Sequence, residues 1–306
     1  MEKIKIATRN SPLALWQAKF VKKQLIQAHT NIEVELIGMQ TEGDRFLDSS
    51  LSNVGGKGLF VKELEEALLR NDADIAVHSM KDVVIDLPEN LILPTIMERE
   101  DSRDVLISNC YKEINTIPDN SVVGTSSLRR QSQLKRLCPS IILKDLRGNV
   151  ETRLRKLDDG EFDAIVLAAA GMIRLDLDNR ITQFLPDSLL LPAVGQGAIG
   201  IECRADDYVT QELIDPLNDQ ETSQCVLAER AFSRRLHGGC QLPIAAYATF
   251  ENKEITLKGL VAKLDGSEII KSEKKGDIND IESIGISLAD LLLERGADVI
   301  LKEIVK

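Results

Sequence analysis

The sequence predicts an α/β protein with two similar α/β lobes and a small C-terminal α+β domain. Strand and helix patterns alternate over roughly the first 100 residues, which is typical of a mainly parallel sheet with helices on its faces. The same alternation returns between Ser121 and Ala168. From about Thr222 the pattern changes to one helix, three strands with alternating polarity and a further helix. A chain of 306 residues also exceeds what one compact core usually holds, so several domains are expected.

In the first lobe, apolar and charged residues alternate from Lys3 to Thr8 and predict a strand. Apolar residues then recur at helical spacing from Pro12 to Ala28, and Ser11 suits the N-cap position in front of Pro12. The next predicted elements are a strand at Glu33–Gln40, a helix at Leu59–Arg70 and a strand at Ala73–Val77.

The second lobe repeats this plan. Its predicted elements are a strand near Ser121, a helix at Leu128–Leu137, a strand at Ile141–Leu143, a helix from Val150 and a strand at Asp163–Ala168. Local sequences are also alike: Ala7–Leu13 matches Gly124–Arg129, and Ala73–Val77 matches Phe162–Val166. Two like lobes would hold a ligand in the cleft between them. The alternative, that any two α/β units look this similar, stays open.

The last domain is predicted to hold a helix at Ser223–Leu236, strands at Ile244–Phe250, Glu254–Ala262 and Glu268–Lys274, and a helix at Ile281–Glu294. Two segments have little periodicity. Thr41–Lys57 is rich in glycine, serine and aspartate and is interpreted as a mobile lid. Arg99–Arg103 is interpreted as a polar hinge between the lobes.

Composition excludes several classes of protein. The formal net charge of −11 argues against nucleic acid as a partner, because phosphate backbones need a broad basic face. The longest apolar run, Ala164–Ile173, has about half of the ~20 residues that a membrane span requires. The N-terminus enters a strand pattern with no signal peptide, and the five cysteines include no CxxC pair. A cytoplasmic protein with reduced thiols is expected.

An anion site is predicted where the second lobe begins. The residues Gly124–Arg130 (GTSSLRR) lead from a buried strand into a helix, with Thr125 and Ser126 as candidate N-caps. Free N–H groups and the positive end of the helix dipole would point at a ligand there. Arg129 and Arg130 add forked donors suited to carboxylate or phosphate. In an acidic chain this concentration of positive charge indicates a polyanionic small molecule.

A second strand-to-helix turn also carries arginines. Arg147 stands beside Gly148, and Arg153 lies about one and a half helical turns further on, where it could fold back toward the same anion. The alternative places Arg153 and Arg155 on a solvated helix face, and it is favoured for Arg155.

A candidate catalytic carboxylate follows the third strand of the first lobe. In open α/β sheets ligands bind at the carboxyl ends of strands, where Val77–Asp82 (VHSMKD) leaves the sheet. Asp82 beside Lys81 could stabilise a cationic intermediate or move protons. A surface Lys–Asp pair of no consequence is an equally weighted alternative. His78 is interpreted as a packed core residue rather than a base.

Cys240 follows two glycines after a predicted helix, and Arg234 and Arg235 would favour its thiolate. The alternative, a small apolar residue at a helix end, is about equally supported. The segment Val54–Gly58 lacks the glycine and hydroxyl spacing of a P-loop, which leaves Lys57 as a lysine on the lid. The three histidines have no metal-ligand spacing, so no metal site is expected.

Taken together, five motifs resemble the porphobilinogen deaminase family over essentially the whole chain. They are Val77–Asp82, Gly124–Arg130, Leu146–Val150, Leu191–Gly197 and Gly238–Gln241. The resemblance implies three domains: residues 1–98 with 195–217, residues 99–194, and residues 218–306. It implies that the first two are α/β domains like those of type II periplasmic binding proteins around a cleft, and that the third is the small α+β domain.

The resemblance further implies an enzyme with a dipyrromethane cofactor, bound covalently through a thioether to Cys240. Four porphobilinogen units are added to this primer with loss of ammonia, and hydrolysis releases hydroxymethylbilane. It assigns catalysis to Asp82 and a lid position to Lys57. Together with the composition and the histidine spacing, this leaves a monomer that is expected to bind porphobilinogen and no metal, nucleic acid or membrane. It assigns cofactor binding to Ser79, Lys81, Thr125, Ser127, Arg129, Arg130, Arg147 and Arg153, and substrate binding to Arg9, Ser11, Arg174 and Gln196.

Two positions depart from the family pattern: Val84 replaces a proline of many relatives, and Asn53 a lysine of some. The competing hypothesis is a two-lobed binding protein that captures an anion without turnover. The two hypotheses differ in that the enzyme needs Cys240 and Asp82, whereas the binding protein needs neither.

Overall fold

A computed structural model describes residues 2–41, 43, 58, 60–239 and 241–305. The chain forms two compact units: residues 1–100 with 198–223 (unit 1), and residues 101–197 with 224–306 (unit 2). The chain thus leaves unit 1 and returns to it later. The predicted boundaries of three domains stay a prediction.

The described strands are β1 (Glu2–Arg9), β2 (Ile32–Met39), β3 (Ile75–Ser79), β4 (Leu91–Ile96), β5 (Asp104–Ile107), β6 (Val122–Gly124), β7 (Ile142–Lys144), β8 (Ala164–Ala168), β9 (Gln183–Leu185), β10 (Ile199–Arg204), β11 (Ile244–Glu251), β12 (Glu254–Ala262) and β13 (Ile269–Asp277). The described helices are α1 (Pro12–Ala28), α2 (Lys62–Leu69), α3 (Leu128–Leu137), α4 (Val150–Asp158), α5 (Ala169–Arg174), α6 (Tyr208–Ile214), α7 (Gln220–Arg235), α8 (Ile281–Glu294) and α9 (Ala297–Val305). None of these helices is both long enough and apolar enough to span a bilayer.

Unit 1 contains a five-stranded sheet in the order β2-β1-β3-β10-β4. Strand β1 runs parallel to β2 and β3, whereas β10 runs antiparallel to β3 and β4. Ile4 and Ile6 of β1 are buried with Val21 and Leu25 of α1, because alternate strand residues face the apolar side of the helix. Burial of these apolar surfaces fixes α1 against the sheet.

Unit 2 contains a second five-stranded sheet in the equivalent order, β7-β6-β8-β5-β9. Here β6 is parallel to both neighbours, and β5 is antiparallel to β8 and β9. The α/β class is confirmed. The sequence predicts mainly parallel sheets, and this is wrong for two of the four strand pairs in each sheet. In unit 1 β10 runs antiparallel to both of its neighbours, and in unit 2 β5 does so.

The local likeness of the two lobes extends to one hydrogen bond. The Asp74 carboxylate accepts from the backbone N–H of Lys5 at 2.7 Å, and the Asp163 carboxylate accepts from that of Val122 at 2.7 Å. Each aspartate stands just before a central strand and fastens it to the strand beside it. The matched segments at Ala73 and Phe162 therefore have the same structural role.

The C-terminal part of unit 2 is an antiparallel sheet, β11-β12-β13, whose apolar residues pack with those of α7, α8 and α9. The α+β expectation is confirmed. Gly285 of α8 allows close contact with α7: a Cβ at this position would lie 2.6 Å from the Ala228 carbonyl oxygen and 2.7 Å from the Phe232 nitrogen. Both are backbone atoms that cannot rotate away.

Gly285→Val is therefore expected to destabilise the protein by about 3 kcal/mol, because overpacking forces α7 and α8 apart. Valine has a slightly better helix propensity than glycine, so the loss would come from the contact and not from the helix. Urea unfolding measures it. Ile286→Val, at an exposed position of the same helix, is the control and should change stability by less than about 1 kcal/mol. Equal effects of both substitutions would contradict this packing argument.

Candidate active site

The predicted catalytic turn leaves the carboxyl end of β3, which ends at Ser79. The next three residues, Met80–Asp82, form a single 3-10 turn. The Met80 N–H donates to the Ala198 carbonyl at 3.0 Å, so the turn is bound to the segment that enters β10. Lys81 and Asp82 are half-buried. The sequence prediction that these residues leave the carboxyl end of a buried strand is confirmed.

Several predicted site residues of unit 1 meet in one pocket. Its lining includes Arg9, Ser11, Gln17, His78, Ser79 and Asp82. The Arg9 guanidinium carbon lies 4.4 Å from the centre of the Phe60 ring, a cation–π contact that fixes the end of β1. Ser11 caps α1 as predicted, its hydroxyl accepting from the Ala14 N–H at 3.4 Å. The Ser79 hydroxyl accepts from Gln17 at 2.8 Å.

In unit 2, helix α3 begins at Leu128 as predicted, but its cap differs from the prediction. The N-cap is Ser127, whose side chain makes no capping bond. The Thr125 hydroxyl accepts from the Ser127 N–H at 3.3 Å, and the Ser126 hydroxyl donates to the Leu146 carbonyl at 3.0 Å. The prediction of Thr125 and Ser126 as N-caps is therefore wrong. Their hydroxyl groups bond to the backbone of Ser127 and Leu146 and not to the first turn of α3.

The two arginines of α3 converge on a buried carboxylate, that of Asp104. Arg129 donates from Nη1 to Oδ2 at 2.7 Å, and Arg130 donates from Nη2 to Oδ1 at 2.7 Å. Gln196 adds a third donor, its Nε2 lying 2.9 Å from Oδ1. Burial opposes ionisation of Asp104, but the charges and hydrogen bonds of both arginines outweigh it and hold its pKa well below the usual range.

Sequence reasoning missed Asp104, although it stands directly in front of the buried run Val105–Ile107. An acidic residue that opens a buried strand needs a partner, and this was the available signal. Two guanidinium groups against one carboxylate leave a net positive charge at this place. The Arg129 Nε is buried and has no hydrogen-bond partner among the described residues.

The second arginine turn is built around Gly148, whose φ of +109° is costly for any other residue. Asn149 caps α4 by accepting from the Thr152 N–H at 2.8 Å. Arg153 folds back toward this turn and donates from Nε to the Gly148 carbonyl at 2.8 Å, while its predicted contact with the same anion as Arg147 stays a prediction. In the described part of the chain, the Arg147 Nε is buried without a hydrogen-bond partner. This arrangement suits a carboxylate acceptor.

The remaining candidates of unit 2 are buried. Arg174, the last residue of α5, donates to the Gly197 carbonyl at 2.7 Å. Glu229 of α7 accepts from the Gly195 N–H at 2.7 Å and from the Ala248 N–H at 2.8 Å. The predicted motif that contains Gln196 is thus bound both to α5 and to α7. Cys240 and Lys57 lie outside the described residues.

A buried cluster of titratable groups also lies in unit 1. The His78 Nε2 is 2.9 Å from a Glu202 carboxylate oxygen, and both side chains are almost fully buried. His78 is therefore buried as predicted, but it is paired with a carboxylate. Burial raises the pKa of the nearby Glu65 to about 7, and the Glu202 charge adds to the rise against the opposing effect of His78.

Glu65→Gln is expected to stabilise the protein at pH 8 and to have little effect near pH 4.5. Ionising Glu65 opposes folding, because its pKa rises from 4.5 to about 7 on folding. This destabilisation is absent below pH 4.5, grows as pH rises and is complete above about pH 7. Glutamine is always neutral and avoids it. Thermal unfolding at the two pH values measures the difference, and a shift in Tm independent of pH would contradict it.

Comparison with known proteins supports the family resemblance that the motifs indicate. Residues 4–212 match the family model described as the dipyrromethane cofactor binding domain of porphobilinogen deaminase, and residues 223–294 match its C-terminal domain. Similar solved structures include the VFT2 domain of BvgS from Bordetella pertussis, at 17% identity over 75% of this chain and 92% of that chain, with a TM-score of 0.45. The methionine-binding protein MetQ matches at 14% identity over 72% and 92%, with a TM-score of 0.45.

The family models alone carry the assignment, and they cover nearly the whole chain. A chain with both domains makes hydroxymethylbilane by polymerising pyrroles on a dipyrromethane cofactor, a step of tetrapyrrole biosynthesis. This chain belongs to the porphobilinogen deaminase family.

Proposed function

We propose that Asp82 is the catalytic carboxylate of this hydroxymethylbilane synthase and that the arginines of both units bind the acid groups of the pyrroles. The pocket that groups Asp82 with Arg9, Ser11 and Ser79 supports this proposal most directly. It combines a carboxylate, a cation and hydroxyl groups at the carboxyl end of a central strand, where ligands of open α/β sheets bind.

The residues present suit a dipyrromethane group, because each pyrrole carries an acetate and a propionate. The buried Arg147 Nε without a partner is a donor that a carboxylate would satisfy. We assign the thioether to Cys240. The other residues proposed to bind the cofactor are Ser79, Lys81, Thr125, Ser127, Arg129, Arg130, Arg147 and Arg153. When bound, this group supplies the pyrrole end to which each new unit is joined.

Arg129 and Arg130 would act mainly through charge. Most of their donors are directed at Asp104 or at backbone carbonyls, so few remain for a ligand. Their net charge with Asp104 is still positive, and in a site with little water such a charge attracts anions over several ångströms. Arg147 would supply the direct contact.

Asp82 would act on the substrate when its aminomethyl group leaves as ammonia. The positive charge that develops on the substrate ring spreads to the pyrrole nitrogen, and a carboxylate near that N–H lowers the barrier by a few kcal/mol in a water-poor site. The same carboxylate can then accept the proton lost by the attacked ring. Arg9, Ser11, Arg174 and Gln196 are proposed to orient the substrate, and Lys57 to act from the lid.

We further propose that the protein is a cytoplasmic monomer with porphobilinogen as its small-molecule partner. A net charge of −11 favours the absence of nucleic acid. We retain the division into residues 1–98 with 195–217, 99–194 and 218–306.

Cys240→Ser is expected to fold and to lack covalent pyrroles, because serine offers no sulfur for the thioether. Intact mass spectrometry should give the unmodified protein a mass above its sequence by two linked pyrroles, and the variant the bare mass. Cys110→Ser, at an exposed thiol, is the control and should keep the added mass. Pyrroles that stay linked in the Cys240 variant would assign the anchor to another cysteine. Failure of the unmodified protein to gain mass after incubation with porphobilinogen would contradict the proposed attachment.

A further inference from the structure

His78, Glu202 and Glu65 form a buried polar cluster in an otherwise apolar part of unit 1. Their neighbours on this side of the sheet are mostly small or aliphatic: Ala7, Leu64, Ala67, Leu68 and Ala76. The exposed fraction is 4% for His78, 0% for Glu202 and 8% for Glu65. Buried carboxylates are costly, so the fold retains this cluster against an energetic penalty.

Sheet register places the two paired residues on one face. Gly200 lies directly opposite His78 in the β3–β10 pair, and Glu202 lies opposite Ala76. Side chains two residues apart on a strand point to the same face, so Glu202 and His78 are diagonal neighbours. Gly200 presents no side chain between them.

His78 belongs both to this buried pair and to the lining of the pocket that contains Asp82. Its Nε2 bonds to Glu202 at 2.9 Å, whereas within the described residues its Nδ1 has no hydrogen-bond partner. His78 also lines the pocket together with Ser79 and Asp82. A carboxylate that accepts the Nε2–H fixes the tautomer and leaves a lone pair on Nδ1.

We propose that His78 is a second functional side chain of the Asp82 pocket and that Glu202 is its positioning residue. The Nδ1 lone pair accepts a hydrogen bond from the ammonium of the substrate's aminomethyl group, while Asp82 faces the pyrrole N–H. This assignment rests on the proposed role of the pocket. It requires no covalent step at His78: the ring orients the group that leaves as ammonia, and orientation of reacting groups acts on kcat.

Two conservative variants separate the parts of the proposal. His78→Gln places an amide near the position of Nε2, so it can keep the bond to Glu202 while it removes Nδ1. Glu202→Gln keeps the shape of the side chain and removes the charge that selects the tautomer. Glu65→Gln is the matched control, because Glu65 belongs to the same cluster and has no hydrogen bond to His78 among the described residues.

With porphobilinogen as substrate at pH 8, each of the first two variants is expected to lower kcat about tenfold or more and to change KM less than about threefold. The double variant should be no slower than His78→Gln alone, because Glu202 acts through His78. Glu65→Gln should keep kcat within about twofold. All variants should retain the mass of the covalent pyrroles, which shows that cofactor attachment is intact.

Wild-type kcat in His78→Gln would overturn the proposal and leave the cluster a structural role. This result decides the matter even if Glu202→Gln does not fold. If the decreases in kcat of the two single variants multiply in the double variant, the two residues act independently, and the positioning role of Glu202 is refuted. Asp82→Asn is measured in parallel: full activity there would remove Asp82 from the site, a failure distinct from any result at His78.

Discussion

Asp82→Asn is expected to retain its covalent pyrroles and to lose nearly all turnover. Asparagine has the size of aspartate and fits the 3-10 turn after β3, so the pocket should keep its shape. It has no negative charge to stabilise the electron-poor ring that ammonia loss leaves. A few kcal/mol of lost stabilisation corresponds to a decrease in kcat of about a hundredfold or more, at 1.36 kcal/mol for each factor of ten.

Steady-state formation of hydroxymethylbilane measures this decrease, and intact mass spectrometry checks cofactor attachment. Glu89→Gln is a suitable control, because this carboxylate is exposed and lies seven residues after Asp82 in the sequence. It should leave kcat within about twofold. A normal rate in Asp82→Asn would exclude the carboxylate from the mechanism.

The second large effect is expected at Asp104. Asp104→Asn leaves Arg129 and Arg130 buried beside each other without the carboxylate that both contact. Breaking a buried charge pair by removing one partner typically costs 3–5 kcal/mol, because the remaining charge stays buried, so we expect a loss of about 4 kcal/mol. Asp101→Asn is the matched control. Its ion pair with Arg103 is equally short at 2.6 Å, but the arginine is 45% exposed, so a loss below about 1 kcal/mol is expected.

Acid should remove the same stabilisation from the unmodified protein. The pKa of Asp104 is lower in the folded protein than in the unfolded chain, so its contribution is complete above the unfolded value near 4 and is lost as pH falls through the folded value. The difference in unfolding free energy between the protein and Asp104→Asn should therefore shrink between pH 5 and pH 3. Urea unfolding at these pH values measures it. A difference that is constant with pH would contradict the ion-pair explanation.

The sequence predicted the elements whose ends have clear local signals. Ser11 and Pro12 begin α1 as expected, and the periodic apolar residues of α8 give both of its ends correctly. Strand β10 was not predicted as a strand, although its segment was expected to return to the first lobe. Its sequence includes Gly200 and the buried Glu202, and neither residue favours a strand locally. Its position between β3 and β4 depends on tertiary pairing.

In the candidate site, too, the features with local sequence signals were predicted and those that depend on tertiary pairing were not. Turns at strand ends were predictable, because glycine, hydroxyl and arginine residues occur there at short spacing. The partners of these residues were not: Asp104 is 25 residues from Arg129, and Glu202 is 124 residues from His78. Such pairs join elements that are far apart in sequence, a strand with a helix in the first case and two strands in the second, so the local sequence of one partner does not identify the other.

The late return of β10 has a consequence for synthesis on the ribosome. Strands β3 and β4 both pair with β10, whose residues are made about one hundred positions after β4. Until then the nascent N-terminal part exposes two unpaired strand edges, which are favourable places for association with other chains. Translation of the whole intervening lobe must therefore precede closure of the first sheet, and a chaperone that shields open edges would raise the yield of active enzyme.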